Sequence, residues 1–183
     1  MTEKAVDHLI SASVSDGSLE AIVERGHYLD HLKKVNDVYY DQIKIADQKA
    51  AYIFTFMLAF LISSAEGRGV FSIKRYMNEA WLPVFMSGLM AIAVLCSLIA
   101  AVLVVLPRKA SAGTSLYWGA WPANRARFIE ADRTGDPEFL TREYLGNVDA
   151  LAAIARKKFR FVALAFRGLL ATVVAYVLLL TFG

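Results

Sequence analysis

Three long apolar runs divide the chain, at residues 50–65, 82–106 and 161–182. The first two contain no charged residue, and the third contains only Arg167. A bilayer core of ~30 Å needs ~20 helical residues to cross it. Because the first run is short, we extend it to include Ile45 and Ala46. The pattern therefore predicts three transmembrane helices, at about 46–65, 82–106 and 161–182.

Polar segments that flank the first and third runs have helical periodicity. From Ile22 to Ala46, apolar residues recur at spacings of three, four or seven positions, which is typical of one helix face. Ser18 is a predicted N-cap, and no proline interrupts residues 19–64. We therefore predict a flexible tail at 1–17, followed by a long helix whose cytoplasmic part, 18–49, continues into the first span.

A similar arrangement ends the chain. Asp136, Pro137 and Glu138 form a helix start, and apolar positions then recur with helical spacing up to residue 155. Two amphipathic helices that adjoin membrane spans are expected to pack on each other and bury their apolar stripes. The predicted fold is an all-α membrane protein with three transmembrane helices. Its first and third helices extend into the cytoplasm, and residues 18–182 form one domain that includes a cytoplasmic segment at 107–160.

Composition supports a membrane protein of one domain. The chain has 183 residues, of which 57% are hydrophobic, and its mean hydropathy is +0.43. Its N-terminus lacks the basic start and apolar core of a signal peptide, so the first span is expected to remain as an anchor. Cys96 is the only cysteine, which excludes an internal disulfide.

Basic residues near the span ends predict the orientation. Lys44 and Lys49 precede the first span, "PRK" follows the second, and "RKKFR" precedes the third, whereas residues 66–81 contain only three Lys or Arg. Lys and Arg concentrate on the cytoplasmic side of membrane proteins. We therefore expect the N-terminus and the 107–158 segment to be cytoplasmic, and the 66–81 loop and the C-terminus to lie on the opposite side of the membrane.

The sequence offers little catalytic chemistry. His27 and His31 lie four residues apart on one helix face, a spacing that can hold a metal, but no third ligand is evident beyond Asp30. A solvated surface is the simpler interpretation, so we expect no metal. Since the chain has no nucleophile motif and no glycine-rich phosphate loop, we also expect no enzymatic activity.

Aromatic and basic residues alternate between the second span and residue 133. An interfacial aromatic belt is the favoured interpretation of Trp118 and Trp121. The alternative is a ligand site in which these rings stack on a base while Arg125 and Arg127 contact a phosphate.

Charged residues also lie at and inside the predicted spans. In one interpretation Arg167 faces the bundle interior, water or an acidic partner. In the other it reaches back to the cytoplasmic lipid headgroups. Asp47 and Lys49 are two residues apart and cannot face each other on a helix. Because a carboxylate at that depth needs a partner, Arg160 on the third span is the predicted partner of Asp47.

Several motifs together resemble one family. "IKIADQKAAYIF" resembles the ADxKA motif that opens the first span of Pycsar membrane effectors. The segments "LPRK", "LYWGAW" and "GDPEFL" follow in order, and "LAAIARKKFRFVALAF" contains the Lys-aromatic-Arg step at Lys158, Phe159 and Arg160. The resemblance covers roughly residues 25–182.

The resemblance implies an anti-phage effector. In such systems a partner pyrimidine nucleotide cyclase makes cUMP or cCMP on infection, and the effector impairs the inner membrane so that the cell dies by abortive infection. The resemblance also implies a location in the bacterial inner membrane, in which the C-terminus would be periplasmic. We expect no cofactor besides this second messenger and no nucleic-acid partner. Since three spans are too few to line a pore, a homo-oligomer is expected. Two alternatives remain open: a holin-like lesion former that needs no ligand, and a membrane scaffold that recruits a soluble partner.

Overall fold

The computed structural model describes the backbone of residues 3–77, 81–107, 113–117 and 119–182, and the side chains from residue 23 onward except residue 182. Within these ranges the chain forms six helices and no strand. They are α1 (Glu3–Ser63), α2 (Ala65–Gly69), α3 (Ile73–Tyr76), α4 (Trp81–Val105), α5 (Trp121–Thr134) and α6 (Phe139–Phe182). This confirms the predicted all-α fold.

Three helices are long and apolar enough to cross a membrane. The candidate segments are Val23–Ser63 of α1, Trp81–Val105, which is α4, and Phe139–Thr181 of α6. They cover the three predicted spans, except for the last two residues of the first and the last residue of the second and of the third. The chain is therefore a membrane protein with three transmembrane helices, and α1 and α6 both extend well beyond the length that a bilayer requires.

The N-terminal start of α1 differs from the sequence prediction. The helix begins at Glu3 and runs through Ser18, so the prediction of Ser18 as its N-cap is wrong. The side chains of residues 3–22 lie outside the described part of the chain, as do residues 1 and 2. The flexible tail at 1–17 therefore stays a prediction.

The junction between α5 and α6 is built from a glycine and a capping aspartate. Gly135 ends α5 in the left-handed conformation, with φ 64°, which costs a glycine little. The Glu138 backbone N–H then donates to Asp136 Oδ1 at 3.0 Å. This confirms the predicted capping role of Asp136. The sequence analysis missed α5 itself, because this helix is exposed along most of its length and lacks an apolar stripe.

The chain divides into two compact units. The first, called the polar unit, comprises Met1–Tyr39 and Ser111–Leu151, and the second, called the span unit, comprises Tyr40–Ala110 and Ala152–Gly183. Helices α1 and α6 contribute residues to both units. The assignment of residues 18–182 to one domain stays a prediction.

Small residues dominate the core of the span unit. Its buried side chains include those of Ala46, Ala50, Met57, Met90, Val94, Ala101, Ala165 and Ala175. Between α4 and α6, Ser97 Oγ donates to the Ala165 carbonyl at 2.8 Å. A Cβ on Gly168 would lie 2.8 Å from Ser97 Cβ and 3.0 Å from the Ala93 carbonyl oxygen. Since lipid supplies no hydrophobic drive for helix association, such close contact holds the two helices together.

Short helices and side-chain hydrogen bonds organise residues 64–77, which follow α1. Ser64 caps α2 by accepting a hydrogen bond from the Gly67 N–H at 3.0 Å. Arg75 pairs with Glu66 and donates from Nε to Ser87 Oγ of α4 at 2.7 Å. These bonds tie the connection to the first turns of α4.

Candidate functional site

An ion pair in the span unit joins α1 to α6. Lys158 Nζ donates to Asp47 Oδ1; the Lys158 side chain is 7% exposed and that of Asp47 is 37% exposed. The predicted pairing of Asp47 with Arg160 is therefore wrong. The prediction matched depth along the helix but neglected direction: Lys158 lies on the face of α6 that buries Val162 and Ala165, whereas Arg160, two residues on, points away from it.

The neighbouring residues of the motif reinforce this contact. Lys49 Nζ lies 5.8 Å from the centroid of the Phe159 ring, a cation–π distance. Ala46 and Ala50 are fully buried beside Asp47, so the helices approach closely there. In the Lys-aromatic-Arg step, Lys158 and Phe159 therefore bind α1, whereas Arg160 is exposed.

Arg167 does not face the interior of the span unit. It is exposed, and with Lys157, Arg160 and Leu164 it lines a surface groove of about 600 Å³ on α6. Among the described residues, no carboxylate pairs with Arg167. The structure therefore excludes the bundle interior of this chain as the environment of Arg167, and both water and the lipid headgroups remain compatible with its exposure.

A buried amide pair joins α1 to α6 in the polar unit. Asn147 Nδ2 donates to Asn36 Oδ1 at 2.6 Å, with Asn147 fully buried and Asn36 7% exposed. Within the described part of the chain, Asn147 Oδ1 has no hydrogen-bond partner. The sequence analysis missed this pair, although each Asn falls among the apolar positions of its amphipathic helix.

Glu143 anchors the segment before α5 onto α6. This carboxylate is buried and accepts hydrogen bonds from the backbone N–H and the hydroxyl of Ser115. Arg127 Nη2 lies 3.7 Å from the Glu143 Oε1 atom. One turn later, Gly146 leaves room for Thr114, whose Cγ2 would lie 2.7 Å from a Cβ at that position. Residues 113–115 therefore pack closely on α6.

The four residues predicted to bind a ligand have different environments. Trp118 lies outside the described residues. Trp121 begins α5, and its ring centroid lies 5.7 Å from that of Phe128. Arg125 is exposed, whereas Arg127 donates to the Gly113 carbonyl and to Asn124 Oδ1, both at 3.0 Å. The structure thus gives Arg127 a defined orientation and leaves Arg125 in solvent.

A groove between α5 and α6 in the polar unit contains one of these predicted residues. It has a volume of about 430 Å³, in the range of small-molecule sites. Arg127 lines it together with Arg142, which the sequence analysis missed, and with the acids Glu130 and Asp136. A second cavity of about 240 Å³ adjoins it and is lined by Phe128 and Phe139, among others.

A backbone hydrogen bond and a neighbouring arginine lower the pKa of Asp136 at this groove. The Glu138 N–H and then the Arg142 guanidinium hold the pKa of Asp136 below its usual range, because both favour the carboxylate. Arg142 also lies 3.6 Å from Glu138 Oε2. This end of the groove therefore contains an ionised carboxylate paired with an arginine.

The two histidines remain on the surface. His27 and His31 are both exposed, four residues apart on α1. Among the described residues, no group of three or more His, Cys, Asp or Glu side chains is arranged to hold a metal.

The fold defines the class of this protein: an all-α membrane protein whose first and last long helices also build a helical polar unit. Residues 31–183 match the family model PycTM, described as a Pycsar effector protein domain. The chain belongs to this family and is an anti-phage defence effector, which implies a cyclase as its functional partner. No curated protein and no solved structure matches it.

Proposed function

We propose that this effector responds to a cyclic pyrimidine mononucleotide, cUMP or cCMP, that its partner cyclase makes during infection. The response impairs the inner membrane, and the cell dies before phage mature. The observation that best supports this proposal is the continuity of α1 and α6. Both helices contribute to the core of the polar unit and then continue as membrane spans. The effector acts as a non-enzymatic oligomer, because three spans are too few to enclose a pore.

The proposed ligand site is the groove between α5 and α6. The guanidinium groups of Arg127 and Arg142 suit the single negative charge of a cyclic phosphodiester. Phe128 in the adjoining cavity offers a ring on which a pyrimidine can stack. Arg142 then exchanges its bonds to Asp136 and Glu138 for bonds to the phosphate.

The proposed coupling is a shift between two packings of the polar unit. A ligand changes an equilibrium only through its different affinities for the two states. Rearrangement of Arg127 would release Glu143, which holds Ser115, and so loosen residues 113–115 from α6. The altered packing of α1 and α6 is transmitted along both helices to their spans. The orientation follows the basic residues, with the polar unit in the cytoplasm and the C-terminus in the periplasm.

Dye-loaded liposomes that contain the full chain test direct gating. We expect cUMP or cCMP to release the dye and cAMP to release none. An Arg142→Gln variant should need at least about tenfold more nucleotide, since a charge-assisted hydrogen bond is lost. Arg125→Gln is the matched control: it removes the same charge from an exposed arginine of α5 outside the groove. If neither pyrimidine nucleotide causes leakage, direct gating is wrong; if Arg125→Gln has the larger effect, the groove is the wrong site.

Expression in cells separates the proposal from its two alternatives. We expect toxicity with an active cyclase and none with a catalytically inactive one. Toxicity with both would indicate a lesion former that needs no ligand. Growth with both would indicate a scaffold.

A further inference from the structure

The basic groove on α6 in the span unit is separate from the proposed nucleotide site. Its lining includes the three cations Lys157, Arg160 and Arg167, and the apolar side chains of Ala163 and Leu164 lie between them. The positions of the cations differ by 3, 7 and 10, so they share one helix face. Lys158 and Ala165, which contact the rest of the unit, lie on the opposite face.

This face carries a strong charge imbalance. Residues 152–183 contain five Lys or Arg and no Asp or Glu. Lys158 is the one that pairs with Asp47. Among the residues that the structure describes, Lys157, Arg160 and Arg167 have no carboxylate partner. The groove is therefore positively charged, and the described part of the chain supplies no counterion to it.

Arg167 is exposed below the membrane edge. The apolar run of α6 begins at Phe161, so Arg167 lies ~10 Å further along the helix at ~1.5 Å per residue. An arginine at that depth is costly unless an anion or water reaches it. Beyond it, Leu170 and Val174 are exposed and continue the same face as an apolar track.

A second copy of this chain has no suitable anion for this depth. Within the apolar runs 50–65, 82–106 and 161–182 there is no acidic residue, and Asp47 at their edge already pairs with Lys158. The anion that a bilayer does supply there is a lipid phosphate. A phospholipid also brings acyl chains, which match the apolar track below Arg167.

We infer that the groove formed by Lys157, Arg160, Leu164 and Arg167 is a binding site for an anionic phospholipid. The lipid phosphate lies between Arg160 and Arg167, the glycerol region covers Ala163 and Leu164, and an acyl chain follows the track beyond. Lys157 contacts the outer part of the headgroup. This inference uses only the span unit and does not depend on the nucleotide site.

Native mass spectrometry of the delipidated full chain in detergent tests the site. We expect dioleoyl phosphatidylglycerol to bind at lower concentration than dioleoyl phosphatidylcholine. The double variant Arg160→Gln/Arg167→Gln should weaken phosphatidylglycerol binding about 30-fold, the effect expected for two cations at an anionic surface. Arg160→Lys/Arg167→Lys keeps the charge and should retain most of the binding.

The matched control removes two cations elsewhere in the span unit. Lys44 and Lys74 are exposed and do not line the groove, so Lys44→Gln/Lys74→Gln should bind phosphatidylglycerol like the parent. If this control loses as much phosphatidylglycerol binding as the arginine double variant, binding depends only on the net charge of the protein, and the proposed site is wrong. Equal binding of the two lipids by the parent, or unchanged binding by the arginine double variant, would also overturn it.

Cross-linking tests a second copy of the chain as the occupant. In a Cys96→Ser background, a Leu164→Cys variant in membranes should remain largely monomeric after oxidation, because lipid covers this position. Efficient disulfide-linked dimers through position 164 would show that protein covers the groove and would contradict the lipid site.

Discussion

Two pairs join α1 to α6, one in each unit, and they use different chemistry. In both pairs the partners are 111 positions apart: Asn36 with Asn147 in the polar unit, and Asp47 with Lys158 in the span unit. The amide pair is neutral and almost fully buried, whereas the ion pair keeps Asp47 partly exposed. A neutral pair limits the cost of deep burial, while a charged pair needs some access to water or headgroups. The two contacts should therefore respond differently to substitution.

The largest expected effect comes from placing a charge in the amide pair. Asn147→Asp removes the donated hydrogen bond and sets a buried carboxylate against Asn36 Oδ1. We expect the free energy of unfolding to fall by about 3–5 kcal/mol, as for other uncompensated buried charges. Unfolding of the full chain in detergent, followed by far-UV circular dichroism, measures this.

Two further variants isolate the cause of this loss. Gln42→Glu makes the same amide-to-carboxylate change at an exposed position of α1 and should be nearly neutral. Asn36→Leu/Asn147→Leu removes both partners and should recover most of the stability. If the double variant is as unstable as Asn147→Asp, the hydrogen bond rather than the buried charge determines the loss.

Two glycines of α6, one in each unit, allow the tightness of helix packing in the two units to be compared. A Cβ at Gly168 meets backbone atoms of Ala93 and Ser97, which cannot move easily, whereas a Cβ at Gly146 meets only the Thr114 methyl group. We expect Gly168→Ala to destabilise by about 2–3 kcal/mol. Gly146→Ala should cost less than about 1 kcal/mol, since alanine also gains helix propensity.

The control for both glycines is Gly26→Ala. Among the described residues, no atom lies within 4 Å of a Cβ at Gly26 of α1, so the helix should gain up to about 1 kcal/mol. Thermal midpoints of the three variants give the ranking. We expect the helix packing around Gly168, in the span unit, to tolerate a methyl group less well than the packing around Gly146, in the polar unit. A Gly146→Ala variant that is less stable than Gly168→Ala would contradict this.

The ion pair should give a smaller loss than a buried charge in the amide pair. Lys158→Met leaves the Asp47 carboxylate without its cation, and because Asp47 is 37% exposed we expect a loss of only about 1–2 kcal/mol. Asp47→Asn/Lys158→Met should be more stable than the single variant. A double-mutant cycle from the same unfolding measurements gives the coupling between the two side chains.

Charge exchange distinguishes the two possible partners of Asp47. We expect Asp47→Lys/Lys158→Asp to recover part of the stability of its single variants. Asp47→Arg/Arg160→Asp should recover none, because Arg160 lies on the exposed face of α6. If only Asp47→Arg/Arg160→Asp recovers stability, Arg160 rather than Lys158 is the partner of Asp47.

The smallest effect concerns the start of α6 and depends on pH. The pKa of Asp136 is lowered in the folded chain, so its stabilisation is present above the unfolded value of ~3.9 and is lost as pH falls through the lower folded value. Asp136→Asn should therefore lower the thermal midpoint at pH 7 and make less difference near pH 3. An equal difference at both pH values would show that ionisation of Asp136 contributes nothing.

The sequence predicts most of the fold because apolar periodicity determines its long elements. The three spans and the capping Asp136 that precedes α6 are all visible in the pattern. Helix α5 is not, since it buries little besides Asn124, and neither is the extension of α1 to Glu3. Local signals identify amphipathic helices well and exposed helices poorly.

Side-chain partners were harder to predict than elements. Asp47 does pair with a cation of α6, but four Lys or Arg residues lie within 156–160, and only rotation about the helix axis selects Lys158. The Asn36–Asn147 contact joins residues 111 positions apart, so predicting it requires the register of α1 against α6. Arg142 required the position of α5, which the sequence pattern did not give.

The Ser97 hydroxyl has a consequence for how the spans assemble. In the folded span unit it donates to the Ala165 carbonyl of α6. A serine in a helix can instead donate to the carbonyl four residues earlier, here that of Ala93. After insertion, α4 can therefore lie alone in the bilayer while the Ser97 hydroxyl donates to the Ala93 carbonyl. When α6 packs on α4, the hydroxyl donates to the Ala165 carbonyl instead. Synthesis of the intervening 107–160 segment can thus delay the pairing of α4 with α6 without leaving an unpaired hydroxyl in lipid.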